Sequence, residues 1–594
     1  LTGWERPDYG GSNAVYAIVR APEEPTKWSV IMDAKPNAKH RAKHRSEASP
    51  TAKQPAQLNK QAPSSRNSAA SARPAPARSA GSKAGDKRAE ARQKDLRQSS
   101  VSQGQAVSRN AGDIKKRPPG GSKQTYSGRS AAPAAPASAD EVKVGDKLVV
   151  TIKRLGINGE GVGYYKRKAV FINGALPDEV VKATVTAVEP KQLVARLTEI
   201  ERQSPHRIAP PCPVYDTCGG CQLQHMAYEG QLLAKEEIVR EAFARYARID
   251  RDALPLRPVL GMEAPWSYRN KAQLQAGPGP GGRLALGLYE PGSRRLVDIT
   301  GCAVQHPGIN AAAAKVRQLA DRLGVPVGTG SRGGLRTIVL RVAPHSGELQ
   351  LTLVAAAEQF AHRDELVELV REQAPEITSI SVNINPGTSP LVFGERTELL
   401  WGKPALGVSL GELQFDLSPR AFFQLNPEQT VKLYNSVKEA SALTGKETVV
   451  DAYCGTGTIG LWLAPFAKEV RGIEVIEEAI EDARRNAELN GRENASFYVG
   501  KAEELLPRWV KQGYRPDVIV VDPPRTGCDP ALLQAIVKTK PKRMVYVSCN
   551  PSTLSKDCSY LLENGFELKW VQPVDMFPQT SHVECVSLLV RKDH

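Results

Sequence analysis

Hydrophobic and polar positions along the chain fall into four textures. Between residues 34 and 138 large apolar side chains are nearly absent, and Ala, Ser, Pro, Lys, Arg and Gln dominate. Such a stretch has too little surface to bury to offset the entropy of ordering, so 1–138 is expected to be a disordered, basic, low-complexity tail. From Val144 short β-rich runs separated by glycines take over, at Lys147–Ile152, Gly161–Tyr165, Ala169–Ile172, Glu179–Val188 and Leu193–Ile200. That rhythm predicts a small antiparallel, OB-like barrel over 139–201. A cysteine-bearing loop then opens an α+β region, 202–414, with helical periodicity at Gln231–Tyr246 and Ile309–Leu323.

From Thr448 strand and helix patterns alternate: Thr448–Tyr453, Ile459–Ala467, Glu469–Val475, Glu478–Asn490, Ser496–Val499, Asp517–Val521, Pro530–Lys538 and Arg543–Ser548. The alternation predicts a doubly wound, Rossmann-like α/β domain over 415–594, helices covering both faces of a mainly parallel sheet. No internal repeat is found.

Charge changes the picture only at the N-terminal end. Of the +16 net charge, residues 1–140 hold 25 basic against 11 acidic residues, and the remainder 55 against 53. The basicity is mostly a tail, which either solubilises the chain or raises its encounter rate with a polyanion in a salt-dependent way. The chain begins at Leu1 and its first Met is Met32, so no functional weight rests on 1–33. Nine cysteines in 594 residues are too few for a disulfide scaffold. No leader pattern is found, and the longest apolar stretches, such as Ile459–Ala467, fall short of a membrane span. A cytoplasmic, monomeric protein with reduced thiols and no membrane partner is expected.

Val449 to Gly460 is an apolar strand entering a glycine turn and a helix, and Gly455, Gly457 and Gly460 formally satisfy the dinucleotide pattern G-x-G-x-x-G. The acids argue for a different ligand. Asp451, Glu474 and Asp522 end three strands at the same sheet edge. Together they would repel a pyrophosphate but suit a cationic sulfonium, with an acid on the second strand holding a ribose diol. S-adenosyl-L-methionine therefore fits better, against the alternatives of a dinucleotide or a ligand-free structural turn.

Two further strand ends supply chemistry. Asp522-Pro523-Pro524-Arg525 resembles the D/N-P-P-Y/F motif of amino methyltransferases, except that Arg525 replaces the aromatic residue. The next strand ends in Ser548-Cys549-Asn550-Pro551, which puts a thiol at the cofactor edge. Uracil C5 is a poor nucleophile; a thiolate adding to C6 makes C5 an enolate carbon able to attack a sulfonium methyl. The C5 proton must then leave, which calls for a base. Glu584, on the apolar strand Val583–Val590, is the candidate, with a solvent-facing strand acid as the plainer alternative.

Cys212, Cys218, Cys221 and the distant Cys302 offer four thiols with no histidine, a set that suits an iron–sulfur cluster or zinc. Three close thiols and one remote thiol lean towards [4Fe-4S], with zinc or unliganded thiols as alternatives.

Asp451–Gly460, Asp522–Arg525, Ser548–Asp557 and Pro573–Cys585 closely resemble the RNA uracil-C5 methyltransferases, in particular the large-subunit ribosomal RNA enzymes of the RumA/RlmD and RlmCD-like type. The resemblance spans about 141–594. It implies that Cys549 is the nucleophile and Glu584 the base, and that Gln424, Tyr453, Glu474 and Asp522 line the S-adenosyl-L-methionine and uracil sites. It also implies that the barrel is a TRAM domain that binds RNA, and that the four cysteines hold [4Fe-4S]. The expected partner is an unstacked uridine in a loop of 23S ribosomal RNA. The rivals are the T-loop uridine of transfer RNA, disfavoured by the barrel and the four cysteines, and a non-catalytic RNA-binding ribosome assembly factor.

Overall fold

The computed structural model describes residues 142–328, 333–387 and 391–592. The expected disordered tail lies outside the described residues.

Alternating burial along Lys147–Leu155 turns Leu148, Val150 and Ile152 inward and their neighbours outward. That strand is β1 (Lys147–Leu155); β2 (Gly161–Tyr165), whose first three residues are all buried, follows, and alternation returns in β3 (Lys168–Asn173), β4 (Val180–Val188) and the first half of β5 (Gln192–Arg202). These close into a barrel in the order β1-β2-β3-β5-β4, with β3 and β5 parallel and the other pairs antiparallel. A register shift between Ile152 and Arg154 carries β1 past its expected end to Leu155. Buried Glu179 fastens the barrel to the segment that follows, accepting from Arg207 Nε at 2.5 Å and Nη2 at 2.9 Å.

The α+β region is built on a seven-stranded mixed sheet. Its strands are β6 (Lys271–Pro278), β7 (Leu284–Tyr289), β8 (Leu296–Asp298), β9 (Leu335–Val342), β10 (Leu349–Ala355), β11 (Ile377–Ile384) and β12 (Arg396–Gly402). They lie in the order β12-β11-β10-β9-β6-β7-β8, with only β10 and β11 parallel. Helix α1 (Tyr228–Ala242) precedes the sheet; α2 (Pro307–Leu323) and α3 (Arg363–Gln373) share one core with it. The helix expected at Gln231–Tyr246 starts earlier and ends in a π-turn, Phe243–Ala247, closed by left-handed Arg248.

A hairpin, β13 (Leu406–Leu410) and β14 (Leu413–Leu417), leads through α4 (Pro427–Ser441) into the α/β domain. Its strands are β15 (Thr448–Ala452), β16 (Glu469–Glu474), β17 (Ala495–Val499), β18 (Val518–Val521), β19 (Arg543–Ser548), β20 (Phe566–Val574) and β21 (Glu584–Arg591). The order is β17-β16-β15-β18-β19-β21-β20; the first five are parallel and β21 runs antiparallel to both its neighbours. Every residue of β18 is buried, as a strand covered on both faces requires. The covering helices are α5 (Thr458–Leu463), α6 (Glu477–Leu489), α7 (Ala502–Lys511), α8 (Pro530–Thr539) and α9 (Pro551–Glu563). Among the described residues no helix is long and apolar enough to cross a membrane.

Candidate functional site

Where β15 ends, the chain turns through residues in left-handed conformations: Tyr453 (φ 65°), Gly455 (φ 53°) and Gly457 (φ 80°). A side chain at Gly457 would also collide with the Phe497 ring, its Cβ coming within 2.7 Å of Cζ, so only glycine fits. Asp451 does not line the resulting crevice. Fully buried, it sits beneath the turn and accepts from the Gly460 N–H at 2.8 Å. Burial, together with Asp522 and Glu474, pushes its carboxyl up to about 8. The expected convergence of three acids is thus two facing the crevice and one holding its floor.

Gln424, Tyr453, Glu474 and Asp522 all border one cavity of about 480 Å³, together with Phe422 and Gly455. Its size is that of a small-molecule site. Glu474 is fixed by three main-chain donors: Gly455 N–H reaches Oε2 at 3.3 Å, and Val475 and Ile476 N–H reach Oε1 at 2.8 and 3.1 Å. Burial raises Asp522 to about 7. A second cavity of about 420 Å³ shares Tyr453, Glu474, Val475 and Pro524 and continues along Lys501–Glu503.

Cys549 leaves the end of β19 immediately before α9, whose N-cap, Asn550, accepts from Ser552 N–H at 3.0 Å through Oδ1. The thiol therefore sits at a helix N-terminus, where partial positive charge favours a thiolate. Burial, Glu584 and Asp522 oppose that and push it up to about 12, while Arg525 pulls it down. Ser548 pairs with Cys585 across the antiparallel β19–β21 ladder, and continuing that register by one residue sets Glu584 opposite Cys549. Glu584 is buried, and burial and Asp522 lift its carboxyl to about 8 against the opposing effect of Arg525. The arrangement brings a thiol and a carboxyl of raised proton affinity together.

Four residues beside Cys549 are not assigned to the site by the sequence, although Arg525 stands out there as a departure from a motif. Arg525, His582 and the barrel residues Ile157 and Asn158 line a cavity of about 180 Å³ with it. Arg525 Nη2 lies 3.4 Å from His582 Nε2. Burial, with Arg525, holds His582 down at about 4, so the ring is neutral. The motif Ser581-His582-Val583-Glu584 contained the signal for His582. The barrel contact, which includes a bond between Ser581 and Ile157 at 424 positions' separation, left none.

Cys212, Cys218, Cys221 and Cys302 also come together, around a separate cavity of about 130 Å³ that Arg269 borders as well. Burial and the neighbouring thiols push Cys221 up to about 12. Among the described residues no group of three or more His, Cys, Asp or Glu is placed to hold a metal ion. All nine cysteines are free thiols. Cys221 leads directly into Gln222 and Leu223, whose N–H groups both donate to Gln579 O, at 3.0 and 2.9 Å. The cysteine loop therefore braces the segment leading to Glu584.

The family model described as tRNA (Uracil-5-)-methyltransferase matches residues 403–592, and that of the TRAM domain matches 141–198. An uncharacterized RNA methyltransferase of Halalkalibacterium halodurans is 53% identical over 451 residues, 76% of this chain and 97% of that protein. One from Bacillus cereus is 52% identical over 454 residues, 76% and 98% of the two chains. The crystal structure of the Pyrococcus abyssi tRNA (uracil-54, C5)-methyltransferase in complex with S-adenosyl-L-homocysteine superposes with a TM-score of 0.59 at 28% identity. That match covers 74% of this chain and 99% of the other.

Proposed function

Because the chain belongs to the RNA uracil-C5 methyltransferase family, we propose that it transfers the methyl group of S-adenosyl-L-methionine to C5 of an unstacked uridine in 23S ribosomal RNA, forming 5-methyluridine. The observation that carries this reading is the nearness of Glu584 to Cys549, which stand opposite one another when the β19–β21 register is continued by one residue, together with the cavity bordered by Gln424, Tyr453, Glu474 and Asp522. The Cys549 thiolate adds to C6, and the electron pair moves to C5 and O4. C5 then takes the methyl group as the sulfonium C–S bond breaks, releasing S-adenosyl-L-homocysteine. Glu584 accepts the C5 proton, and cleavage of the S–C6 bond restores the thiolate. Glu474, held by the turn it supports, is suited to the donor's ribose diol. Asp522 places negative charge near the sulfonium.

The four thiols suit [4Fe-4S] in donor type, since all are sulfur and all border one cavity. When bound, the cluster supplies no electrons to a methyl transfer; it would hold the loop that braces Gln579. Iron and sulfide analysis of anaerobically purified protein tests this: about four irons per chain are expected, and Cys302→Ala should lose them.

Transfer RNA is the second reading, and one observation favours it. The Pyrococcus abyssi match covers more of this chain than residues 202–594 amount to, so it takes in part of the barrel. A barrel is thus no argument against a transfer RNA substrate. Incubation with labelled donor and unmodified 23S ribosomal RNA or transfer RNA decides. Label in 23S 5-methyluridine is expected; label only in the T-loop would move the assignment to transfer RNA. Retained RNA binding with no methylation would leave a non-catalytic assembly factor.

A further inference from the structure

The barrel reaches the nucleophile. Its β1–β2 turn, Gly156 to Glu160, points at the α/β domain, and Ile157 and Asn158 at its tip line the same cavity as Cys549, Arg525 and His582. The contact is built at several points. Ser581 Oγ, three residues before Glu584, donates to the Ile157 carbonyl at 2.9 Å. Gly159 adopts φ +91° and lies so close to the cysteine loop that a Cβ there would stand 2.9 Å from Gln222 Cβ and 3.4 Å from Ser581 Cβ. Within the turn, Gly156 N–H donates to Glu160 O at 2.7 Å and Gly159 N–H to Gly156 O at 3.0 Å.

The tip is pre-shaped and chemically mixed. Glu160 clips Asn158 by two bonds, accepting from its main-chain N–H at 3.1 Å and from Nδ2 at 2.8 Å. This fixes the amide plane. It leaves Oδ1 and the second Nδ2 hydrogen without a partner among the described residues, an acceptor and a donor side by side. Ile157 is 41% exposed, an apolar side chain at the rim of a polar cavity.

A base attacked at C6 by Cys549 must bring its ring into the volume that the thiol borders. Leaving an RNA stack, that base loses one apolar neighbour and its pairing partners, and proteins that extrude bases replace both. We propose that the β1–β2 turn of the barrel is part of the active site: Ile157 packs on the extruded pyrimidine or fills the gap it leaves, and Asn158 hydrogen-bonds its polar edge. Uracil offers the matching set, carbonyl acceptors flanking an N–H donor. Asn158 is then a positioning and specificity residue, and the barrel does more than tether RNA. This inference rests on the functional reading above.

The test uses the full chain with Ile157→Ala and Asn158→Ala, both at exposed positions. Methylation of unmodified 23S ribosomal RNA and of transfer RNA is followed at varied RNA concentration. In parallel, binding is measured to the same RNA and to a copy carrying an abasic residue at the methylated position. Expected is a fall of tenfold or more in kcat/KM for Asn158→Ala, with affinity for the abasic RNA within twofold of the parent. Covalent trapping on 5-fluorouridine RNA should slow by the same factor. An active parent with both variants within twofold in kcat/KM overturns this inference alone. So does an equal loss of affinity for normal and abasic RNA, which would make the turn a backbone contact. A parent that methylates no uridine overturns the functional reading and this inference with it.

Discussion

Lys235 and Asp575, on α1 and in the loop before β21, meet in an ion pair from which solvent is fully excluded, Nζ lying 2.5 Å from Oδ1. Tyr228 OH donates to the other carboxylate oxygen at 2.9 Å, and Lys235 Nζ also reaches Phe577 O at 3.2 Å. Gln231, one turn before Lys235, accepts from Gln579 N–H at 2.9 Å. Helix α1 thereby grips the chain that runs to Ser581, His582 and Glu584. Removing one partner strands a charge, so Lys235→Ala should destabilise by about 3–5 kcal/mol, whereas Lys235→Met with Asp575→Leu should cost much less. Urea unfolding of the three proteins measures this. Equal losses in both variants would mean that the pair itself contributes little.

Cys549→Ala should abolish covalent RNA adducts while leaving donor binding within about twofold, because the sulfur borders a cavity other than the one bordered by Glu474. Glu584→Gln should accumulate the methylated adduct, since addition proceeds but the C5 proton has no acceptor. Denaturing gels of protein with labelled RNA separate the outcomes. Equal adduct loss in both variants would overturn the roles given to the two residues.

Three carboxyls, Asp451 and Glu584 buried and Asp522 half-buried, make the site pH-dependent. Asp451, Asp522 and Glu584 stand at about 8, 7 and 8 in the fold, all above their ordinary values and chiefly through burial. A carboxyl raised in this way stabilises the fold while protonated, and that contribution is lost as pH rises from near 4 through about 8. The melting temperature should therefore decline between about pH 5 and pH 9, and less steeply in Glu584→Gln. Turnover should run the other way, rising through about pH 8 as Glu584 becomes able to accept a proton. A melting temperature that is flat or rises over this range would show that the three groups are not buried as protonated acids.

Glu474→Gln should weaken S-adenosyl-L-methionine binding about tenfold, roughly 1.4 kcal/mol. The amide oxygen can keep the Val475 and Ile476 bonds at Oε1, but the NH2 that replaces Oε2 can accept neither from Gly455 N–H nor from a ribose hydroxyl. Calorimetric titration of donor into RNA-free protein measures it, with unchanged affinity for RNA as the control.

What the residues disclosed in advance followed from how local each signal is. Strand ends rich in glycine, acid and thiol are contiguous in the chain, so the crevice edge at Glu474 and Asp522 and the thiol at Cys549 could be read directly, whereas Gln424 and Tyr453 came only through the resemblance. Helix α7 has no such clarity, because Pro507 inside it reads as a breaker. Strand β20 is hidden by a register shift between Leu568 and Trp570 that interrupts its alternation. Asp451 looked like a third ligand because position on a strand does not tell which way a carboxylate turns. Its bond to Gly460 N–H decides that. Contacts such as Ser581 with Ile157 depend on how domains dock, and no window of sequence contains them.

The seat of Gly159 against Gln222 and Ser581 bears on how this architecture can be recombined. A chimera that borrows a foreign barrel inherits a loop shaped for a different socket, and steric misfit there would be transmitted straight to the surroundings of Cys549. Exchanging nucleic-acid preference between such enzymes therefore means transplanting Gly159, Gln222 and Ser581 as one unit, together with the tip they support.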